Sequence, residues 1–336
     1  MSGARSTVLS GMRPSGKLHL GNYFGALYNW LALQDSYACF YMVADWHALT
    51  SEYADPSEIE SNVWEMVIDW LACGLDPKRC VIFRQSWVRE HAELHLILSM
   101  ITPIPWLERV PTYKEQIQEV KNRDLSTYGF LGYPVLQSAD ILLYQAAQVP
   151  VGEDQLPHLE LTREITRRFN NFYGNVFAEP QALLSRSPRI LGTDRRKMSK
   201  SYNNAILLSD SPEEIAAQVK TMYTDPQKIR LTDKGHPEGC VVNATHKLYT
   251  PEAAEIEERC QAGTIGCVAC KNRLAETLNA GLQPIRDSRA RWATKLDDVK
   301  DIVRGGSLKA TETAANTMAT VRGALKLSDL PQGVVR

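Results

Sequence analysis

Four groups of residues in this 336-residue chain have the types and spacing to do chemistry. The first runs Gly11-Met12-Arg13-Pro14-Ser15-Gly16-Lys17-Leu18-His19-Leu20-Gly21-Asn22, after an apolar run and before a segment of helical periodicity. A strand that feeds a glycine-bearing turn and then a helix N-terminus is where an α/β sheet binds phosphate. Free backbone N–H groups and the positive end of the helix dipole meet there. Gly11 to Lys17 fits G-x-x-x-x-G-K, the core of a P-loop, but Leu18 stands where a metal-holding Ser or Thr belongs. Pro14 also has no N–H to offer a phosphate. A second reading is a nucleotide loop in which His19 and Asn22 reach phosphates. In it Gly21, lacking a Cβ, lets adenine lie against bare backbone. A third is an ordinary strand–turn–helix with a surface histidine, and the stretch alone leaves these readings open.

The second group is Lys197-Met198-Ser199-Lys200-Ser201, preceded by Arg195 and Arg196. A solvated basic turn is the ordinary reading. Alternatively, two ammonium groups on one loop can close over a triphosphate and neutralise charge as pyrophosphate leaves. The third group is Gln137 and Asp140, three apart in Pro134–Tyr144 and so on one helical face, with Tyr133 a turn earlier. The fourth is Cys240, Cys260, Cys267 and Cys270, spaced C-x19-C-x6-C-x2-C. Four thiolates can hold tetrahedral zinc or a four-iron cluster. One CxxC is present, where a zinc ribbon has two, and four unliganded thiols are the third possibility. Cys39, Cys73 and Cys80 are scattered in apolar surroundings and read as core thiols.

The elements that must position these groups follow from periodicity. Val8 onward, Tyr37–Ala44, Cys80–Phe83, Gln148–Val151 and Ser187–Leu191 read as strands. The apolar Tyr37–Ala44 run suits a strand buried on both faces of a parallel sheet, with Asp45-Trp46-His47 at its ligand-facing carboxyl end. Pro56–Cys73 reads as a helix, with Ile59, Val63, Met66, Val67 and Trp70 on one face. Glu90–Tyr113 reads as helix broken near Pro103 and Pro105, with an apolar excess fit for core or a dimer face. Lys114–Asp124 is charged and expected at the surface. Pro134–Tyr144 reads as a helix with proline in its first turn, and a further helix starts near Leu156. From Ser211 the chain turns helical, over 212–223, 251–260, 270–285 and 307–327. The expectation is an α/β fold with a Rossmann-type, doubly wound parallel sheet over 1–203. A C-terminal α-helical domain over 204–336 follows, its last helix able to pack back on the first domain.

With 38 basic and 39 acidic side chains, a nucleic-acid partner must meet a local basic patch and not a globally basic surface. The N-terminal residues lack an apolar signal core, and no window approaches the ~18 apolar residues of a membrane span. A cytoplasmic chain with no membrane partner, its cysteines thiols or metal ligands, is the expectation.

His19-Leu20-Gly21-Asn22 and the later Lys197-Met198-Ser199-Lys200-Ser201 resemble the two ATP motifs of class I aminoacyl-tRNA synthetases. Tyr133-Pro-Val-Leu-Gln-Ser-Ala-Asp-Ile-Leu-Leu-Tyr144, followed by Val149-Pro-Val-Gly-Glu-Asp-Gln155, resembles the bacterial tryptophanyl-tRNA synthetases, and the resemblance spans nearly the whole chain. It implies activation of tryptophan with ATP and Mg2+ to tryptophanyl-adenylate and pyrophosphate, then transfer to the 3'-terminal adenosine of the tryptophan tRNA. It also implies a homodimer, with the apolar 94–113 region as interface. By position, His19, Asn22, Lys197 and Lys200 stabilise the phosphates. Arg13, Pro14, Ser15, Gly21, Asn22, Gly152, Glu153, Asp154, Ile190 and Lys197 to Ser201 (with Met198, Ser199 and Lys200) contact ATP, and Lys114 reaches phosphate. Asp140 accepts the indole N–H, which fits an acceptor-only carboxylate. Without the flanking matches it would read as a structural helix carboxylate. Gln137, Tyr133, His47, Gln155 and Leu9 line the amino-acid pocket. Arg13 stands where Gln is common in the family and Gln137 where Met is common, which puts the apolar packing of the pocket in doubt. A subset of the family carries an iron–sulfur cluster on cysteine spacing like that of 240–270, near the anticodon-reading surface, with zinc the lesser alternative. Two rival readings are a tyrosyl-tRNA synthetase, which shares the fold and both ATP motifs, and a non-catalytic paralogue that binds tRNA or a partner. Retention of Lys197 and Lys200 argues against the second.

Overall fold

The computed structural model describes residues 5–111, 113, 124–184 and 190–327. Five parallel strands form one sheet in the order β3-β2-β1-β4-β5. They are β1 (Thr7–Met12), β2 (Ala38–Val43), β3 (Cys80–Arg84), β4 (Gln148–Val151) and β5 (Gln181–Leu184). Successive residues of the central strands enter opposite cores, as the period of two requires. Val8, Cys39, Tyr41 and Val43 enter one core; Leu9, Phe40 and Met42 enter the other. Helices cover both faces, which is what continuous apolar strands demand.

In chain order the helices are α1 (Leu20–Asn22), α2 (Tyr28–Leu33), α3 (Asp45–Glu52), α4 (Ile59–Ala72), α5 (Glu90–Ser99), α6 (Ile104–Glu108), α7 (Tyr128–Leu143) and α8 (Leu156–Tyr173). Then come α9 (Pro212–Thr221), α10 (Val241–Tyr249), α11 (Ala253–Gln261), α12 (Cys267–Ala293) and α13 (Leu296–Ala324). On α4 all five of the apolar residues expected on one face are buried. The last helix, α13, straddles the open edge of the sheet. Val299 and Val303 join one core, while Ala310, Ala314, Met318 and Val321 join the other. Between them Gly306 meets β3 so closely that a Cβ there would lie 1.9 Å from the Ile82 carbonyl oxygen. Ser307 Oγ accepts the Arg84 N–H at 3.2 Å, which covers an edge strand that would otherwise expose its ladder groups.

Three expectations change. The fifth strand is Gln181–Leu184; Leu191 makes only an isolated bridge to Lys197, and residues 185–189 lie outside the described ones. Its side chains are half-buried or exposed, so this edge strand lacks the apolar signature that was sought. Helix α7 starts six residues before Pro134, which is therefore interior. Thr127 caps it by accepting the Phe130 N–H at 3.2 Å, and the proline forgoes only the one bond back to Phe130. Helix α10 has no counterpart among the helices expected from the sequence. Among the described residues no helix is long and apolar enough to cross a membrane.

Candidate active site

The carboxyl ends of β1 and β2 and the turns that leave them carry Arg13, Pro14, Ser15, His19, Gly21, Asn22 and His47. After β1 the chain turns through Arg13–Leu18. Gly16 has φ of +84°, and a Cβ there would sit 2.8 Å from Asn62 Oδ1, so this turn requires glycine. His19 is the N-cap of α1. Its Nδ1 accepts the Asn22 N–H at 3.2 Å, and the Asn22 side-chain oxygen accepts the His19 N–H at 3.1 Å. This reciprocal cap fixes the imidazole tautomer: Nδ1 accepts, so Nε2 carries the proton and is a donor suited to a phosphate oxygen. Burial, and after it Lys200 and Lys197, push the His19 pKa down to about 4, so the ring is neutral at physiological pH. A Cβ on Gly21 would lie 2.9 Å from the His19 ring and 3.4 Å from Met198 Cβ. Here, then, the missing side chain makes room for the histidine. A π-helical turn, Tyr23–Leu27, follows before α2, a local irregularity frequent near functional sites.

The second basic loop folds against the first. Met198 N–H donates to the Ile190 carbonyl at 3.2 Å, and Asn204, buried, accepts the Ser199 N–H at 2.8 Å and donates to the Lys197 carbonyl at 3.2 Å. Lys200 Nζ donates to the carbonyls of Ser15 and Lys17, the latter at 3.0 Å. Burial lowers the Lys200 pKa from its usual value. Just beyond, residues 206–208 pair with the first loop. Leu208 N–H reaches the Leu18 carbonyl at 2.9 Å, and Leu20 N–H reaches the Ile206 carbonyl at 3.0 Å. The two basic stretches, some 180 residues apart in the chain, thus form one unit. Lys197 and Ser201 are exposed beside it. Arg13 points to α3, bonding Ser51 and pairing with Glu52 at 3.8 Å. Pro14 is buried and Ser15 exposed, with Ser15 N–H donating to the Arg13 carbonyl at 2.9 Å. Lys114 lies outside the described residues.

Asp140, on α7, is 2% exposed. Its carboxylate accepts from His47 Nε2 at 2.7 Å, Gln85 Nε2 at 2.8 Å and His91 Nδ1 at 2.6 Å. These donors outweigh the cost of burial and hold the carboxyl well below the usual range. The other nitrogen of His91 faces the Tyr144 hydroxyl at 2.8 Å, which donates to it. Gln85 also accepts the Trp46 N–H at 3.2 Å, so it ties α3 to the pocket. A buried carboxylate with about four lone-pair sites retains capacity for one more donor. Tyr133 and Gln137 precede Asp140 on the same helical face. The Tyr133 hydroxyl meets His158 Nε2 at 2.8 Å, and burial pushes His158 down to about 4, so its ring accepts. Leu9 is buried on β1 in the core that includes α7. Gly152, Glu153 and Asp154 lead from β4 into a short 3-10 turn. Both carboxylates are exposed, Gln155 Nε2 donates to Asp154 at 3.1 Å, and a Cβ on Gly152 would lie 2.7 Å from Asp154 Oδ1.

Sequence reading missed His91, Gln85 and His158. Gln85 carried a usable signal, a polar residue just past the carboxyl end of a parallel strand. His91 and His158 lie in the first turns of α5 and α8, beside buried apolar positions, where a histidine reads as core.

Cys240, Cys260, Cys267 and Cys270 line one cavity, together with Asp225, Lys228 and His236. All four are free thiols. Among the described residues no group of three or more His, Cys, Asp or Glu side chains is arranged to hold a metal ion, so convergence on one cavity is the whole of the geometric support. Burial raises the Cys260 thiol and pushes Cys270 up to about 12. Left without a cation, Cys270 stays protonated. The donor set, four thiols, suits a soft metal or a cluster.

The family description "tRNA synthetases class I (W and Y)" matches residues 1–283. The tryptophan–tRNA ligase of Thermotoga maritima is 51% identical over 324 residues, covering 95% of this chain and 99% of its own. That of Aquifex aeolicus is 45% identical over 392 residues, with the same coverages. The crystal structure of tryptophanyl-tRNA synthetase from Campylobacter jejuni, complexed with ADP and tryptophan, superposes with a TM-score of 0.85 at 34% identity. It covers 96% of this chain and 100% of that one.

Proposed function

The chain belongs to the class I tRNA synthetases for tryptophan and tyrosine, and on that premise we propose how its residues divide the work. It is an aminoacyl-tRNA ligase that joins tryptophan to its tRNA, with ATP and Mg2+ as co-substrates; identity over nearly the full length to tryptophan–tRNA ligases carries this conclusion. The tryptophan carboxylate attacks the α-phosphorus of ATP, the α–β phosphoanhydride bond breaks, and pyrophosphate leaves. No general base is needed, because the carboxylate is already ionised. His19, through its Nε2–H, Asn22, Lys197 and Lys200 stabilise the charge that shifts onto the leaving phosphates. Arg13, Pro14, Ser15, Gly21, Gly152, Glu153, Asp154, Ile190, Met198, Ser199 and Ser201 form the ATP cradle, with the two exposed acids placed to accept from ribose hydroxyls. Asp140 takes the indole N–H, while Leu9, His47, Tyr133, Gln137 and Gln155 frame the side chain.

Residues 1–203 carry activation, and residues 204–336 carry tRNA recognition. The enzyme acts as a homodimer through the 94–113 stretch, where Leu96, Met100 and Ile104 expose apolar surface. An iron–sulfur cluster on Cys240, Cys260, Cys267 and Cys270 serves as a structural clamp near the anticodon-reading surface. Anaerobic purification is expected to yield iron and acid-labile sulfide in equal amounts; zinc without sulfide, or no metal, would replace that reading.

The test of the reaction is ATP–pyrophosphate exchange driven separately by tryptophan, tyrosine and phenylalanine. Exchange with tryptophan alone is expected. Exchange with tyrosine would overturn the pocket, and exchange with none would overturn the chemistry.

A further inference from the structure

Asp69 is fully buried on α4, and its two oxygens face different parts of the molecule. One accepts the backbone N–H of Leu18 at 2.6 Å; the other accepts from Arg289 Nη1 at 2.7 Å. Arg289 lies on α12, is 9% exposed, and also pairs with Glu65. Leu18 is the residue before His19. Helices α4 and α12 also share an apolar core containing Val63, Met66, Trp70, Leu274, Leu278 and Leu282, so they do not need an ion pair to stay together. Burying a carboxylate and a guanidinium is costly, and apolar side chains of similar volume usually hold helices as well or better. What apolar side chains cannot do is accept the Leu18 N–H. The other bonds to this short segment come from the second-loop side: Lys200 on the Lys17 carbonyl, Leu208 on the Leu18 carbonyl, and Ile206 on the Leu20 N–H. Asp69 is its fastening to α4, and Arg289 orients Asp69.

We propose that Asp69 and Arg289 are a positioning pair: they set the Leu18–His19 peptide, and with it the aim of the His19 ring at the ATP phosphates, and they make that setting depend on where helix α12 lies. The inference rests on reading residues 13–22 as an ATP loop. Removing the Arg289 guanidinium leaves Asp69 buried with Glu65 nearby and no cation between them. The carboxylate then turns or takes up a proton, and the Leu18 N–H loses its fixed acceptor. The loop keeps its bonds to 206–208, but His19 is no longer held in one place.

The experiment measures steady-state ATP–pyrophosphate exchange for Arg289→Met, Arg289→Lys, Asp69→Asn and the reference variant His19→Ala, with unfolding temperature recorded for each. Arg289→Met is expected to worsen kcat/KM for ATP tenfold or more, with KM for tryptophan within twofold of wild type. Arg289→Lys, which keeps the charge, and Asp69→Asn, which keeps an acceptor for Leu18, should each lose less than Arg289→Met. A merely structural pair would lower the unfolding temperature and leave the ratio of ATP to tryptophan parameters unchanged, and that result overturns the proposal. If Arg289→Met does not fold, Arg289→Lys decides: a three- to fivefold ATP-selective loss supports the pair, and parameters within twofold for both substrates overturn it. His19→Ala separates the two failures. If it too leaves ATP kinetics intact, the loop reading itself is wrong; if it impairs ATP use while the Arg289 variants do not, only the positioning pair falls.

Discussion

The neutral state of His19 makes a prediction whose sign and size can both be worked out. The ring accepts the Asn22 N–H on Nδ1, so protonating that nitrogen would place two donors face to face and break the cap. Burial and two nearby lysines act in the same direction, and the pKa falls from 6.5 to about 4. In the unfolded chain the histidine titrates near 6.5. Between pH 6.5 and 4 the unfolded state therefore binds more protons than the folded one, and stability rises with pH across that window. Put the other way, the contribution is fully present above pH 6.5, is lost as pH falls, and is exhausted near pH 4. At 1.36 kcal/mol per unit, a depression of this size is worth about 3 kcal/mol at the acid limit and about 2 kcal/mol by pH 5. His158, also depressed to about 4, contributes with the same sign, so the measurement must be a difference. His19→Asn is the right reference, because asparagine is a good N-cap and does not titrate. Urea unfolding of wild type and variant at pH 7.5, 6 and 5 should show the wild type losing about 2 kcal/mol more than the variant by pH 5. A carbon-13 label at histidine Cε1 then identifies the ring directly, as the signal missing from the variant. Parallel stability lines for the two proteins, or a His19 resonance titrating at or above pH 6, would refute the assignment of Nδ1 as acceptor.

Asp140→Asn removes one acceptor oxygen from beneath His47, Gln85 and His91, and hydrogen bonds to a charged group contribute about 1.5–3 kcal/mol each. Tryptophan kcat/KM in the exchange assay should fall about 10- to 150-fold for one such bond lost to the indole; a change below threefold would sink the assignment. Lys200→Ala should lower kcat of exchange by about 100-fold or more, as expected for a lost donor to developing charge, and a rate within threefold of wild type would exclude that role. Gly306→Ala places a methyl group 1.9 Å from the Ile82 carbonyl and should destabilise by about 1–3 kcal/mol. Gly305→Ala, with nothing within 4 Å of its Cβ, should be neutral or stabilise by up to about 1 kcal/mol; calorimetry showing equal shifts for the two would contradict the helix-to-strand contact.

What could be read from the sequence depended on whether the signal was local. The central strands announce themselves because both their faces are buried, so Ala38–Val43 is apolar at nearly every position; the edge strand Gln181–Leu184, paired on one side and half exposed, carries no such run. Helix α4 was visible because burial selects apolar residues every three or four positions, yet the same periodicity hid Asp69, a polar residue on the buried face of that helix. The loops were visible because His19, Gly21, Asn22 and Lys197 to Ser201 lie close together in the chain. Their fastening was not, because Asp69 and Arg289 are 220 residues apart and neither has a neighbour that marks it. Of the three donors to Asp140, from α3, the turn after β3, and α5, His47 was legible, Gln85 carried a positional signal, and His91 was hidden in the same way. A buried charge must find its partners wherever the fold brings them, and nothing in the local composition around His91 or Arg289 records the obligation. For that reason the polar contacts between distant segments were the part of the site hidden from sequence. Asp69 shows the consequence: a residue that periodicity assigns to the core touches both the turn after β1 and helix α12, and its role follows only from the two groups it bonds.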